Sequence, residues 1–403
     1  MRMSGTKHAY VNDEYRLWQQ TIVTVRGQSI VLASKPGVFA HGSIDPSSLL
    51  LAQHVRVDAG DVFVNMNCRN GLLGSAIALS AVARRVALTD RNVLAVEASS
   101  RTLSANGVDG AEVYVGHGAA ALPDLAANVV AIRIPQEKPA LLQLLHDAFG
   151  LLEAGGRVYL AGATNEGIKS AARTLEQIFG NAATIATESG HRVVSATKRA
   201  DQPAGDDIPS SPYLDADAFL EQSFDLRGNT HAFFSRPGVF SWDHLDEATA
   251  VLVEHMDVQA GDRVLDLGCG YGVLGVVAGC IADAPVTMVD VDSEAVRSAA
   301  RSAAAAGLGS ARAIGSDVAS AVLEEQFDLV VTNPPFHVGK ATDLSVPIQF
   351  IADAYAVLAP GGRLNLVANR TLPYEGAIKY LFKNITTVHD GRRFKVLTAV
   401  KAP

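Results

Sequence analysis

The feature that most constrains this chain is an internal repeat with an offset of 201 residues. Residues 25–74 align without a gap to residues 226–275, and 18 of the 50 aligned positions are identical. Further matches continue with small shifts, up to the strand-like segments "HRVVSATK" in the first copy and "FKVLTAVK" in the second. A match held in one register over this length indicates that a whole domain is duplicated.

Each copy alternates short apolar runs with stretches of helical length. In the second copy "DRVLDLG" reads as a strand and "VLGVVAGCIA" as the helix after it. "PVTMVDVD" is the next strand, and the helix that follows it has Ser293 as its predicted N-cap. Strands that alternate with helices predict the α/β class, with a mostly parallel, doubly wound sheet in each copy and ligands at the carboxyl ends of the strands.

The length of 403 residues suits two domains, and a segment rich in Pro, Asp and Ser separates the copies. We predict a first domain at 1–200, a linker at 201–215 and a second domain at 216–403. The hydrophobic content of 48% is too high for a disordered chain. No apolar run is long enough for a membrane span, and the N-terminal segment does not resemble a signal peptide. Three cysteines form neither a disulfide framework nor a zinc pattern, so we expect a cytoplasmic protein without a metal site.

The net charge of −8 argues against a protein that coats nucleic acid with its whole surface. A local basic patch is still compatible with it. Residues 361–403 contain eight basic and two acidic residues, which indicates either a solvated surface or a face that contacts phosphates.

The second copy contains a glycine-rich loop in "LDLGCGYGVLG", residues 265–275. Glycines at a strand–helix turn let the backbone approach a ligand closely. Asp290 follows at the distance typical of an acid that binds ribose hydroxyls, which fits either a nicotinamide or an adenosyl ligand. Asp266, which precedes the glycines, would repel a pyrophosphate but would suit an ammonium group. This favours S-adenosylmethionine over the nicotinamide dinucleotide that dehydrogenases, the rival class, would bind.

A more specific signal is "NPPF", residues 333–336, at the end of the strand "FDLVVT". Two prolines fix φ and remove two N–H groups, so the turn offers a carbonyl oxygen beside the side-chain oxygen of Asn333. Phe336 adds a ring that can stack on a planar group. Two acceptors and a ring match an exocyclic amine on a flat base. When both N–H groups of the amine donate hydrogen bonds to these acceptors, the lone pair of its nitrogen is freer to attack.

With these residues in view, the sequence resembles the class I S-adenosylmethionine-dependent methyltransferases. "DLGCGYG" is similar to their first motif, and "NPPF" to the motif of the branch that methylates amines. "RPGVFSWDHLDEATAVLVEHM", "NPPFHVGKATD" and "ANRTLPYE" resemble the tandem-domain guanine-N2 methyltransferases of ribosomal RNA, the RsmC type. The resemblance covers nearly the whole chain, more closely in 226–403 than in 1–200.

The resemblance implies two tandem Rossmann-like methyltransferase domains, each with an antiparallel final strand, of which only the second binds the cofactor. It implies methyl transfer to the exocyclic N2 amine of a guanine in 16S ribosomal RNA, with ribosomal RNA or a ribosomal subunit as partner. Separately, we expect a monomer with two intramolecular domains. It places the catalytic turn at Asn333, Pro334, Pro335 and Phe336. It places cofactor contacts at Asp266, Gly268, Cys269, Gly270, Gly272, Asp290, Val291, Asp317 and Asn333. Weaker candidates for RNA contact are His337, Lys340 and Arg370.

The first copy lacks these chemical groups. Asp266, Gly268 and Gly270 correspond to Asn65, Asn67 and Arg69. Asn333, Pro334 and Phe336 correspond to Arg133, Ile134 and Gln136. We therefore expect residues 1–200 to bind no cofactor. The open alternatives are a guanine in large-subunit RNA, adenine N6, a protein glutamine N5, and a ribosome-assembly factor without catalysis.

Overall fold

The computed structural model describes residues 14–80, 82–200, 208–335 and 344–403, which form two compact units. The first unit is Trp18–Ala218, and the second contains Phe219–Pro403 together with residues 14–17. Each unit has one seven-stranded sheet and one two-stranded hairpin. The predicted α/β fold with two similar, mostly parallel sheets is confirmed.

The first unit contains nine strands and five α-helices among its described residues. They are β1 Gln19–Val25, β2 Gln28–Ser34, α1 Pro46–His54, β3 Val62–Met66, α2 Leu72–Leu79, β4 Arg85–Asp90, α3 Val93–Ala105, β5 Ala111–Val115, β6 Ala127–Arg133, α4 Lys138–Leu151, β7 Leu152–Ala163, α5 Ile168–Phe179, β8 Ala183–Glu188 and β9 His191–Thr197.

The second unit repeats this order within its described part. Its elements are β10 Leu220–Leu226, β11 Asn229–Ser235, α6 Glu247–His255, β12 Val264–Leu267, α7 Val273–Ala282, β13 Val286–Asp290, α8 Ser293–Ala305, β14 Arg312–Gly315, β15 Phe327–Thr332, α9 Ser345–Val357, β16 Leu358–Asn369, α10 Glu375–Phe382, β17 Thr386–Asp390 and β18 Phe394–Val400.

The two sheets have the same strand order and the same register. The order is β5-β4-β3-β6-β7-β9-β8 in the first unit and β14-β13-β12-β15-β16-β18-β17 in the second. The first five strands of each order are parallel, and β18 pairs antiparallel with β16 and β17, as β9 does with β7 and β8. The carboxyl ends of β14, β13, β12 and β15 therefore lie side by side, at the edge where doubly wound sheets bind ligands.

The inner strands β12, β13 and β15 of the second sheet are buried on both faces, whereas the edge strands β14 and β17 are largely exposed. Leu265 and Leu267 pack in a core with α9 and α10, whereas Val264 packs in the opposite core with α6, α7 and α8. Side chains alternate along a strand, so Asp266 lies on the same face as Val264, under α7. The sheet thus carries a carboxylate into a buried position beside the glycine loop.

The start of α8 differs from the sequence prediction by one residue. Ser293 is the first helical residue, and the side chain of Asp292 caps the helix by accepting the backbone N–H of Glu294 at 2.9 Å. The prediction that Ser293 is the N-cap is therefore wrong. Asp and Ser are about equally good caps, so the sequence did not distinguish the two neighbours.

Candidate active site

The loop after β12 has a backbone that favours glycine. Gly268, Gly270 and Gly272 have φ angles of 76°, 54° and 91°, in the left-handed region. A Cβ atom added to Gly270 would meet no atom of the described residues within 4 Å, whereas one on Gly268 would lie 2.8 Å from the ring of Phe350. The loop therefore offers its backbone to a ligand at Gly270, and needs glycine at Gly268 for close packing.

Asp266 is buried and only partly satisfied by the protein. Its side chain has no solvent exposure, and its Oδ2 accepts the backbone N–H of Gly275 at 2.7 Å. Its Oδ1 is buried and has no hydrogen-bond partner among the described residues. Because an unpaired buried oxygen is unfavourable, this arrangement suits a cationic or hydrogen-bonding group of a ligand. Burial, with a smaller contribution from Asp290, raises the pKa of Asp266 to about 7.

This pKa predicts that cofactor affinity depends on pH. An ammonium group binds the ionised carboxylate, so below pH 7 binding has to displace a proton, and affinity falls by about tenfold per pH unit. Above about pH 8 the amino group of the cofactor itself loses its proton, and affinity falls again. Isothermal titration with S-adenosylmethionine from pH 5.5 to 8.5 measures this profile.

Asp266→Asn is the matched control, because Asn65 occupies the equivalent position in the first copy. The variant should bind the cofactor more weakly, and the decline of affinity below pH 7 should disappear. A wild-type affinity that stays constant between pH 5.5 and 7.5 would contradict the proposed contact.

Asp290 shapes the glycine loop. It ends β13, and its two carboxylate oxygens accept the backbone N–H groups of Gly270 at 2.9 Å and Asp292 at 3.0 Å. In the first copy Asp90 accepts the N–H of Arg69 at 3.0 Å and that of Asn92 at 3.0 Å. The contact exists in both copies, so it supports the loop whether or not a ligand binds.

The remaining predicted cofactor residues lie along the same edge of the sheet. Val291 directly follows β13, and Asp317 stands two residues beyond β14. Cys269 is buried, and burial raises the pKa of its thiol well above the usual value, which leaves it protonated. The geometry brings Asp266, Asp290 and Asp317 to three neighbouring strand ends.

The amide of Asn333, directly after β15, is held in one orientation. Its Nδ2 donates to Asp246 Oδ2 at 3.0 Å and to Thr249 Oγ1 at 3.0 Å. Asp246 also caps α6 by accepting the N–H of Thr249 at 2.8 Å. A carboxylate only accepts hydrogen bonds, so the nitrogen must face Asp246 and the oxygen must face the other way. The amide therefore presents an acceptor, which the sequence predicted for this turn.

Some predicted residues lie outside the described part of the chain, and others have protein partners. Phe336, His337 and Lys340 fall outside the described residues.

Arg370 is half exposed and pairs with Asp390 at 3.3 Å. Elsewhere in 361–403, Arg363 is largely buried against Asp262, and Lys395 against Glu375. Several of the basic residues are therefore neutralised within the protein, so this segment is not a uniform basic face.

In the first copy, longer side chains stand at the positions of the predicted ligand-binding residues. Asn67 and Arg69 keep the left-handed backbone of the glycines, with φ angles of 56° and 61°. The guanidinium of Arg69 lies 4.0 Å from the ring centre of Phe39. The loop has therefore retained its path while its open space is taken by an arginine.

The position that corresponds to Asn333, in the predicted amine-binding turn, is likewise occupied by an arginine. Arg133 is 3% exposed and donates from Nε to Asp45 Oδ2 at 2.7 Å and from a terminal nitrogen to Glu166 at 2.8 Å. Asp45 corresponds to Asp246 and caps α1, as Asp246 caps α6. Both copies therefore have an aspartate that caps this helix. In the second copy it accepts a hydrogen bond from the amide of Asn333, and in the first copy from the guanidinium of Arg133.

Two features of the second unit were missed by the sequence reasoning. The first is the pair Asp246 and Thr249, which the retention of aspartate at Asp45 could have suggested. The second is Tyr15, whose hydroxyl donates to Asp317 Oδ1 at 2.6 Å and whose side chain is 3% exposed. Since 302 residues separate Tyr15 from Asp317, no local pattern could have revealed this contact.

The fold and the site together define a class I S-adenosylmethionine-dependent methyltransferase. The unpaired buried oxygen of Asp266, the open backbone at Gly270 and the carboxylates at the ends of β13 and β14 fit the cofactor. Among the described residues, no group of three or more His, Cys, Asp or Glu side chains could hold a metal ion. No helix in the described ranges is both long and apolar enough to cross a membrane.

Comparisons with known proteins agree with this class. A family model described as methyltransferase small domain matches residues 29–195 and again residues 230–398. The ribosomal RNA small subunit methyltransferase C of Hahella chejuensis is 34% identical over 284 residues, which is 70% of this chain and 80% of that protein. The ribosomal RNA large subunit methyltransferase G of Streptomyces avermitilis is 31% identical over 368 residues, which is 89% of this chain and 92% of that protein.

A solved structure is similar over nearly the full length. It is the T. thermophilus 16S rRNA N2 methyltransferase RsmC in complex with AdoMet and guanosine. The TM-score is 0.80 with 29% sequence identity, and the match covers 97% of this chain and 99% of that chain. This chain belongs to the methyltransferase small domain family, in its ribosomal RNA methyltransferase branch, which confirms the resemblance found in the sequence.

Proposed function

We propose that this protein transfers a methyl group from S-adenosylmethionine to the exocyclic N2 amine of a guanine in small-subunit ribosomal RNA. The observation that carries the proposal is the fixed amide of Asn333, whose nitrogen is held by Asp246 and Thr249. Its oxygen thereby serves as an acceptor one strand away from Asp266. An acceptor beside a site for a cationic cofactor is what methylation of an amine requires.

The protein acts mainly by positioning. S-adenosylmethionine, when bound, supplies a methyl group that is activated by the adjacent sulfonium. Asn333 Oδ1 and the backbone carbonyl of the turn accept the two N–H groups of the amine. These hydrogen bonds orient the nitrogen and oppose delocalisation of its lone pair into the ring. In-line positioning of this kind supplies a large part of the rate enhancement in group transfer.

Guanine N2 is favoured over adenine N6 by the relatives rather than by the turn. The T. thermophilus protein is a 16S rRNA N2 methyltransferase that was solved with guanosine, and it matches this chain almost from end to end. The small subunit is favoured because the T. thermophilus protein and the H. chejuensis relative are both named as methyltransferases of small-subunit RNA. The cytoplasmic location and the monomeric state stay predictions.

A guanine in large-subunit RNA is the second candidate. The S. avermitilis large-subunit methyltransferase G matches 89% of this chain, which is more than the H. chejuensis small-subunit relative matches. Labelled methyl transfer to each subunit RNA separates the two candidates. We expect label in 16S RNA or in the small subunit, and label confined to 23S RNA would select the second candidate instead.

We also propose that only the second copy binds cofactor. Arg69 and Arg133 fill the equivalent site of the first copy, and Asn65 replaces the carboxylate that an ammonium group needs. The first copy then contributes stability or RNA contacts without chemistry.

A further inference from the structure

Phe240 is a large apolar side chain left exposed in the second unit. Its exposed fraction is 59%, although it lies in the loop between β11 and α6. This loop is anchored on both sides of Phe240. On one side, the backbone N–H of Val239 donates to the carbonyl of Arg236 at 3.2 Å. On the other side, Asp246 accepts the amide nitrogen of Asn333. Single exposed apolar side chains are common on protein surfaces, and Phe240 differs from them in that its loop contacts the proposed site.

The loop is also tied to the glycine loop. Tyr271, between Gly270 and Gly272, donates its hydroxyl to the backbone carbonyl of His244 at 2.9 Å. The loop that carries Phe240 therefore contacts both the cofactor-side loop and, through Asp246, the amine-binding turn. These two contacts place it against both halves of the proposed site.

The first copy shows what such a ring can bind. Phe39 corresponds to Phe240 in the gapless repeat, and it is partly buried. The guanidinium of Arg69 lies 4.0 Å from its ring centre, and that of Arg133 lies 5.7 Å from it. A guanidinium is a flat group with hydrogen-bond donors at its edge, and it stacks on aromatic rings. Phe39 is thus a stacking surface for a flat group that belongs to the protein itself.

In the second copy both arginines are replaced. Gly270 stands at the position of Arg69, and Asn333 at the position of Arg133, because the strand registers of the two sheets agree. Phe240 stands at the position of Phe39 in the repeat, and neither Gly270 nor Asn333 carries a guanidinium that could cover its ring. The exposed ring is therefore available to a flat group from outside the protein, and its loop is bonded to Asn333 through Asp246.

We infer that Phe240 stacks on the purine base whose amine is methylated. This inference rests on the proposed function and names a residue that holds the base for it. It adds a second ring to Phe336, the stacking residue predicted from the sequence. Aromatic side chains commonly hold unstacked bases in this way, and stacking contributes a substantial part of the affinity per base.

Phe240→Ala should lower kcat/KM for RNA by about 10- to 100-fold, which is the effect of losing one base–aromatic stack. Phe240→Leu should behave in the same way, because it keeps apolar bulk without a π face, and Phe240→Tyr should retain activity. The affinity for S-adenosylmethionine should stay unchanged in all three variants. Phe39→Leu is the matched control in the first copy and should leave kcat/KM unaltered. Wild-type kcat/KM in both the Ala and Leu variants would overturn the inference.

A binding measurement separates this inference from the proposed function. Phe240→Trp places a fluorophore at the stacking position, and the wild type, with Trp18 and Trp242, gives the background signal. With the enzyme saturated by S-adenosylhomocysteine, guanosine should quench the additional fluorescence in a saturable way. An additional signal unaffected by guanosine would overturn the inference. If the wild type methylates no RNA but the quenching occurs, the proposed function fails and base stacking at Phe240 stands.

Discussion

Asn333→Ala is expected to lower the rate of methyl transfer by roughly 100- to 1,000-fold while cofactor affinity changes little. The amide nitrogen is held at 3.0 Å by both Asp246 and Thr249, so the oxygen is fixed as an acceptor for the substrate amine. Alanine removes that acceptor without touching the carboxylates of the cofactor side. Single-turnover rates at saturating S-adenosylmethionine, together with a cofactor titration, measure the two quantities separately.

Two substitutions of Thr249 test whether the orientation of the Asn333 amide matters for the rate. Its hydroxyl donates to Asp246 Oδ2 at 3.1 Å and accepts the amide nitrogen of Asn333. Thr249→Val keeps the shape and the helix cap by Asp246 but loses the hydroxyl, so we expect a smaller loss of rate than for Asn333→Ala. Thr249→Ser should retain the rate. Turnover by Asn333→Ala at the wild-type rate would show that the amide does not act on the amine.

Gly270→Arg is expected to abolish cofactor binding in a protein that still folds. The first copy has this substitution at Arg69, whose φ of 61° is close to the 54° of Gly270. Within the part of the chain that the structure describes, a Cβ at Gly270 meets no atom within 4 Å, so the cost is the left-handed backbone of a non-glycine residue, about 1–2 kcal/mol. A cation about 4 Å from a positively charged ligand is unfavourable by about 4 kcal/mol near a protein surface, which is roughly a 1,000-fold loss of affinity.

Calorimetry and thermal unfolding of the same samples test this prediction. The wild type should bind one S-adenosylmethionine per chain, and Gly270→Arg should bind none while its melting curve stays cooperative. Arg69→Gly is the control in the first copy. It should still give one site per chain, because Arg133 and Asn65 remain in the first copy. Two sites in the wild type would contradict the assignment of the cofactor to the second copy alone.

Much of the fold follows from the repeat. Because residues 25–74 and 226–275 share one register, any sheet formed by one copy has to be formed by the other. The alternation of strand and helix patterns then specified parallel strands, and ligand residues at their carboxyl ends were expected to converge. Asp266, Asp290 and Asn333 stand at neighbouring strand ends in the structure, in agreement with that expectation.

What the sequence did not reveal depends on contacts between distant segments. The hydrogen bond from Asn333 to Asp246 spans 87 residues, and the one from Tyr15 to Asp317 spans 302. Periodicity and turn chemistry report only local structure, so neither contact had a signal in a single copy. The basic residues of the segment 361–403 also depend on contacts between distant parts of the chain. Arg363 and Lys395 read as surface cations, but Asp262 and Glu375 pair with them after folding.

The identity of the methylated nucleoside is the most direct test of the proposed function. RNA from both ribosomal subunits is incubated with the wild-type protein and labelled S-adenosylmethionine, digested to nucleosides and analysed by mass spectrometry. We expect N2-methylguanosine in small-subunit RNA treated with the wild type, and none in RNA treated with Asn333→Ala. N6-methyladenosine as the product, or label found in protein and not in RNA, would contradict the proposed function.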